Sequence, residues 1–342
     1  RLMNDRFALC LPREEFDEKR VADSVKELQC EFTGNSFHLH MYMGVYEIRD
    51  RDEAVSIMVD KANIAADTIK NNYDCCVAYY DEHLLEISIE QRRLLGEFEP
   101  ALQNDEFVMY LQPQVKRDGA AKGAEALVRW VHPSRGILTP YAFIDILENA
   151  GLIYKLDLYI WEKAAQKLAE WKEKGYGSYH ISVNISTKDF YIIDIYETFT
   201  GLINKYGIAA SNLHLEITET TLMTDFEKNM NIIHKLQGVG FRVEIDDFGS
   251  GYSSLNMLKD ISADVLKIDM GFLRKSENEV KGQDILESII TLAGKIGMDV
   301  ITEGVETKKQ LDMLTMMGCH EFQGYYFSKP VPVSEFEEKY LV

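Results

Sequence analysis

From about residue 97 onward the chain alternates short apolar runs with amphipathic stretches, and that alternation leaves few folds open. Strands are expected at 107–115, 124–130, 179–185, 213–218, 241–247, 265–269, 299–303 and 319–326. Helical patterns such as Leu158–Lys174, Asp225–Gln237 and Gln283–Ile296 lie between them. Gly175, Gly238 and Gly297 follow these patterns directly, as suits helix C-termini. Eight strands with helical crossovers over roughly 245 residues predict an α/β fold, a TIM-like (β/α)8 barrel rather than an open sheet. In such a barrel the working residues gather at the carboxyl ends of the strands.

Polar groups recur in or at the end of these apolar runs. The run from Phe241 to Ile245 stops on Asp246 and Asp247, and a glycine-punctuated loop follows as far as Leu255. Ala124–Trp130 carries Glu125, and His180–Ser186 carries Asn184. Leu213–Glu219 carries Glu216 and Glu219, Val265–Asp269 carries Lys267 and Asp269, and Asp299–Val305 carries Glu303. Most of these fall near strand ends; Glu125 lies near the start of its run. Burying acid there is costly unless something positive sits beside it.

Gathered on one mouth, Glu125, Asn184, Glu216, Asp246, Asp247 and Glu303 would form an oxygen-rich cluster that suits Mg²⁺ or Mn²⁺ better than zinc. Without a cation, two carboxylates about 4 Å apart repel by about 4 kcal/mol at an effective dielectric near 20. Asp246 and Asp247 could help hold two ions about 3.5–4 Å apart, a spacing that serves phosphate-ester hydrolysis by metal-activated water. Lys267 would help hold or deprotonate that water, and Arg129 could grip a phosphate in bidentate fashion. Taken singly, each residue has a plainer use. Glu125 could pair with Arg129, Asn184 could be a satisfied strand amide, Glu216 and Glu303 could be solvated or paired acids, and Lys267 could neutralise Asp269. Their recurrence favours the joint reading. His132, His180, His214 and His320 share no ligand spacing and read as structural.

The formal net charge of −19 argues against a protein that grips long nucleic acid over its whole surface, but leaves room for a small phosphorylated ligand beside metal ions. Cys10, Cys30, Cys75, Cys76 and Cys319 show no paired metal spacing, and their odd number fits free thiols in a reducing compartment. No apolar stretch approaches the roughly 20 residues of a membrane span, and no signal peptide is visible. A cytoplasmic protein is therefore expected. The chain opens on Arg1, so the native N-terminus is expected to lie further upstream.

Residues 1–88 differ from the rest. Strand-like runs at Phe7–Leu11, His38–Tyr46 and Cys76–Tyr80 alternate with helix patterns at Phe16–Cys30 and Asp52–Asn71. This α+β segment is short for a complete domain, and Asp81–Asn104 reads as a connecting helix.

Residues 89–342 resemble the EAL domain family of cyclic-di-GMP phosphodiesterases. The motifs that carry the resemblance are Gln112-Pro113, Glu125-Ala126-Leu127-Val128-Arg129, His132-Pro133, Gly136, Gly151-Leu152-Ile153 and Val183-Asn184-Ile185-Ser186. The Asp246–Leu255 loop, Lys267-Ile268-Asp269, Glu303-Gly304-Val305-Glu306, Gln323-Gly324-Tyr325 and Ser328-Lys329-Pro330 continue it in order. The resemblance implies a phosphodiesterase that opens cyclic-di-GMP to linear pGpG. It implies metal ligation by Glu125, Asn184, Glu216, Asp246, Asp247 and Glu303, with Lys267 assisting the attacking water and Glu125 and Glu303 taking part in catalysis. Gln112, Leu127, Arg129, Asp269 and Gln323 become substrate contacts, although Leu127 alone would pass as core. Glu219 resembles the residue that orients the loop after Asp247, a loop linked in this family to dimer formation through the barrel. Thr302 stands where the family commonly has alanine. No ligand position is lost, which favours an enzyme over a catalytically silent receptor or an interaction scaffold.

The first 88 residues look like the C-terminal part of a degenerate GGDEF domain. Arg1-Leu2-Met3-Asn4-Asp5-Arg6-Phe7 stands at the family's hairpin, with Met3 and Asn4 where glycines allow a tight turn and Arg6 where an acid is needed. Diguanylate cyclase activity is not expected of it.

Overall fold

The computed structural model describes residues 6–32, 41–70, 75–248, 261–271 and 279–341. The chain divides into two compact units, Arg1–Gly96 and Glu97–Val342. The division falls inside the helix Glu82–Gln103, which also holds the expected boundary at 88/89.

The first unit is a small βαβ arrangement. Strands β1 (Met43–Val45) and β2 (Val77–Tyr79) pair in parallel, with the helix Val55–Asp67 between them in sequence, as a parallel pair requires. Val25, Cys76 and Val77 form its buried cluster, joined by Phe16, Val21 and Val45. The expected strand Phe7–Leu11 has no regular structure, and Phe7, Leu9 and Leu11 are exposed. Alternating apolar residues make a strand only when an edge is there to pair with, and β1 and β2 are the paired strands described in this unit. Most of the GGDEF-like stretch, residues 1–5, lies outside the described residues.

The second unit is the barrel. Its strands are β3 (Phe107–Lys116), β4 (Ala121–His132), β6 (His180–Ile185), β7 (Leu213–Thr218), β8 (Arg242–Asp246), β9 (Val265–Asp269), β10 (Asp299–Glu303) and β11 (Glu321–Phe322). Short strands β5 (Gly136–Leu138) and β12 (Val331–Pro332) extend β4 and β3. The ring runs β3, β11, β10, β9, β8, β7, β6, β4 and closes on β3. The strands from β4 through β11 run parallel around it, whereas β3 is antiparallel to both its neighbours. The helical crossover expected between the first two strands is thus a hairpin. Its connection closes with Gly119 N–H donating to Lys116 O at 2.9 Å, a link too short to return a parallel strand.

Strand alternation sorts side chains between two faces. Ile181, Val183, Ile185, Leu213, Leu215, Ile217, Val243 and Ile245 are buried, as are Trp161, Leu168, Phe199, Ile233 and Leu236 of the surrounding helices. Trp161 and Phe199 lie 4.5 Å apart between ring centroids. Each such side chain contributes about 1.5–3 kcal/mol on burial. The opposite parity, from His180, Ser182 and Asn184 around to Lys267 and Glu303, carries the polar groups. Two expected features differ in detail. The strand expected over 319–326 is only Glu321–Phe322, because Gly324 opens a turn in which its carbonyl accepts from the N–H groups of Phe327 and Ser328. Gly238 lies within the helix Phe226–Val239, and Gly240, at φ +108°, is the left-handed cap.

Candidate active site

Lys267 is the centre of the carboxyl-terminal rim. It is fully buried on β9, a position that costs several kcal/mol for an unpaired ammonium. Its Nζ lies 2.9 Å from Glu216 Oε2 of β7 and 2.8 Å from Glu303 Oε1 of β10. Glu125 Oε2 of β4 and Asp246 Oδ1 of β8 each stand 3.5 Å away. Four strands that are distant in sequence therefore deliver acid to one ammonium. Burial opposes the charge on Lys267, but Asp246, Glu125, Glu216 and Glu303 together outweigh it and hold the ammonium protonated well above its usual range.

One ammonium does not satisfy four carboxylates. Burial pushes Glu216 well above the usual carboxylate range, reinforced by the charge of Glu125. Glu303 is pushed up to about 8, by burial first and by Asp246 and Glu125 against the pull of Lys267. Glu216 Oε1 is buried with no hydrogen-bond partner among the described residues. An excess of hard oxygen donors with an orphaned oxygen fits divalent ions of the Mg²⁺ or Mn²⁺ type.

Asn184 belongs to the same ring: its Nδ2 donates to Glu125 Oε1 at 3.2 Å, and Trp161 Nε1 holds its backbone carbonyl at 2.9 Å. Gln323 Nε2 donates to Glu125 Oε2 and, at 3.3 Å, to Gln112 Oε1. Gln112 in turn donates to Ser328 O at 3.3 Å. Gly324 follows Gln323 because an added Cβ would stand 2.2 Å from Val305 O. Glu125 reaches the rim despite its place early in β4. Only Gly123–Glu125 pairs with β6; beyond Glu125 the strand overshoots the barrel and continues against β3 and β5. Leu127 and Arg129 stand half-buried on this overhang, and the Arg129 guanidinium lies 5.4 Å from the Tyr110 ring centroid.

Asp247 has φ +56°, an uncommon backbone for a residue with a Cβ, and its N–H donates to Asp246 Oδ1 at 2.9 Å. Partial burial and the charges of Asp246 and Asp269 raise its carboxyl pKa. Asp269 accepts from Gly271 N–H. Glu219 opens the helix Glu219–Thr224, where the Thr218 side chain accepts from Thr221 N–H. The loop Glu219 is expected to orient falls in 249–260, outside the described residues.

At the opposite, amino-terminal mouth, His180 and His214 stack with centroids 3.9 Å apart beside Glu244. Their separation in sequence gives no sign of this; the signal was strand parity, which puts both rings and Glu244 on the inner face.

Residues 96–330 match the EAL domain family. The chain is 32% identical over 272 residues to the bifunctional diguanylate cyclase/cyclic di-GMP phosphodiesterase MucR of Pseudomonas aeruginosa, covering 79% of this chain and 39% of that one. It is 33% identical to the cyclic di-GMP phosphodiesterase PdeR of Escherichia coli, over 70% of this chain and 36% of that protein. The chain thus spans less than half the length of these relatives. A solved structure of the PaMucR phosphodiesterase in complex with c-di-GMP superposes with a TM-score of 0.68 at 33% identity, covering 71% of this chain and 99% of that one. With a closed barrel, an acid-ringed lysine and a family match over most of its length, this chain belongs to the EAL domain family.

Proposed function

We propose that this protein is a metal-dependent phosphodiesterase that hydrolyses cyclic-di-GMP to linear pGpG. The observation that carries the reading is the convergence of Glu125, Glu216, Asp246 and Glu303 on Lys267 at one end of the barrel. Glu125, Asn184, Glu216, Asp246, Asp247 and Glu303 would hold the ions, two by the number of acids. Mg²⁺ or Mn²⁺, when bound, lowers the pKa of water and neutralises phosphate charge. Lys267 keeps its proton, so it orients the attacking water by donating hydrogen bonds and screens the acids from one another. Glu303 would take part in catalysis as a metal ligand, its carboxylate 2.8 Å from Lys267 Nζ. Gln112, Leu127, Arg129, Asp269 and Gln323 line the approach; Arg129 supplies a fork for phosphate and Leu127 an apolar face for a base.

Residues 1–88 we read as the C-terminal part of a degenerate GGDEF domain without cyclase activity. The βαβ arrangement of β1 and β2 supports this, as does Arg6, which bonds Asp67 at 3.4 Å instead of offering a carboxylate. A homodimer through the barrel, coupled to Glu219, follows from the same family reading. No helix among the described residues is long and apolar enough to cross a membrane. We place the reaction in the cytoplasm on the free thiols of Cys10, Cys75, Cys76 and Cys319.

The test is a chromatographic product assay on purified protein with cyclic-di-GMP and Mn²⁺ or Mg²⁺. Appearance of pGpG, abolished by chelator, is the expected result. Tight binding without turnover would make the protein a receptor instead.

A further inference from the structure

The geometry points to a second metal site, at the amino-terminal mouth of the barrel, in which His180, His214 and Glu244 bind a transition-type divalent ion such as Zn²⁺. One nitrogen of each ring and a carboxylate oxygen of Glu244 lie within 4.8 Å of one another. His214 Nδ1 stands 2.6 Å from Glu244 Oε1. Both rings are held by their other edge, as metal-binding imidazoles are. His214 Nε2 donates to the backbone carbonyl of Ser211 at 3.2 Å, and His180 Nε2 donates to Gln114 Oε1 at 2.7 Å. With those bonds kept, the ligand position of His214 is Nδ1, already beside Glu244, and that of His180 is the ring nitrogen Gln114 does not hold. Ser182 Oγ donates to Glu244 Oε1 at 3.2 Å and fixes the carboxylate, whose Oε2 is buried with no hydrogen-bond partner among the described residues.

The site is built into the fold. His180 packs where Gly123 leaves space: a Cβ there would stand 2.4 Å from the imidazole. A cavity of about 510 Å³ lined by His180, His214 and Glu244 opens the site to a small ion. The cationic residues on its wall are already paired, Lys122 with Glu321 and Arg242 with Asp299 at 2.6 Å. Without a metal, Nδ1 of His214 must carry a proton to meet Glu244. An ion would take that place, drawing the three ligand atoms to the roughly 3.3 Å spacing of tetrahedral coordination at about 2.0–2.1 Å, with the His180 ring turning out of its stack. Nitrogen donors select for Zn²⁺ or Co²⁺ over the Mg²⁺ or Mn²⁺ favoured by the all-oxygen rim.

The test uses the full chain, stripped of metal and titrated with Co²⁺, whose visible absorption intensifies in low-coordinate nitrogen sites. The D246N/D247N variant removes rim ligands. It should still bind one equivalent with that absorption, whereas H180Q should weaken binding at least tenfold. Absorption lost in D246N/D247N, or unchanged in H180Q, would overturn the assignment. X-ray absorption on Zn²⁺-loaded D246N/D247N is an independent measurement that does not need the His180 variant to fold: imidazole scattering supports the site, and an oxygen-only shell refutes it. No outcome depends on turnover, so the phosphodiesterase reading stands or falls separately.

Discussion

The two mouths of this barrel are built from the same strands and are electrostatic opposites. β6, β7 and β8 supply Asn184, Glu216 and Asp246 to the rim, and His180, His214 and Glu244 to the far end, on the same inward parity. At the rim the acids outnumber the single buried ammonium, and Glu216 and Glu303 are driven up in pKa. At the amino-terminal mouth charge is balanced within the protein. Burial would raise Glu244, but the hydrogen bond and charge of His214 prevail and hold it down at about 2. Uncompensated acid therefore marks the end we assign to Mg²⁺ or Mn²⁺, whereas at the far end His214 offsets the charge of Glu244 and leaves its Oε2 unpartnered among the described residues.

Three experiments bear on that contrast, and a fourth sets a buried acid pair elsewhere in the barrel beside it. The largest effect belongs to Glu125→Ala, which removes a carboxylate shared by Lys267, Asn184 and Gln323; pGpG formation should fall at least about 1,000-fold, or roughly 4 kcal/mol of barrier. Near-normal rates would break the rim assignment. Lys267→Met should destabilise the metal-free barrel by about 3–5 kcal/mol, since it leaves uncompensated buried acids. Added Mn²⁺ should recover more melting temperature in this variant than in the parent, and a smaller recovery would contradict the charge argument. Gly123→Ala tests the far end. The new methyl collides with His180 and should cost about 1–3 kcal/mol in urea unfolding, while turnover stays within roughly threefold. An unfolding midpoint equal to the parent's would show that the ring is not packed as described.

The smallest effect concerns a buried pair belonging to neither mouth. Asp157 and Asp189 face each other, Asp189 Oδ2 accepting from Ser186 N–H at 2.8 Å, with Glu148 and Lys188 nearby. Burial, then the charge of Asp189, raises Asp157, and burial raises Asp189. Carboxyls raised in the folded state hold protons that the unfolded chain releases. Their contribution is therefore complete below the ordinary carboxylate range and fades as pH climbs toward the folded values. Asp157→Asn should flatten this decline, changing the melting temperature by under about 3 °C at neutral pH. An unaltered pH slope would exclude the pair as its source.

Much of the rim was legible beforehand because an acid at the end of an apolar strand has few uses apart from meeting a cation. Asp246 and Glu303 announced themselves this way, and Lys267 as a cation set inside an apolar run. Glu125 did not, because its strand continues past the barrel and pairing register, which sequence does not display, decides where the rim falls. The antiparallel β3 was within reach: the stretch from Lys116 to Ala121 has no room for a helix. The His180–His214 stack was not, since each histidine by itself is an ordinary strand residue and only the pairing register of β6 with β7 brings them together.

Closure has one more consequence, for the order in which the chain emerges during synthesis. β3 gains β4 at once, but its other edge waits for β11 and β12, which are translated only after every other strand of the barrel. Until then the nascent sheet has a bare hydrogen-bonding margin beside largely buried apolar residues, the surface that invites pairing with another polypeptide. A ribosome stalled short of Glu321 would leave such a chain open, so the two residues of β11 guard its solubility as well as its shape.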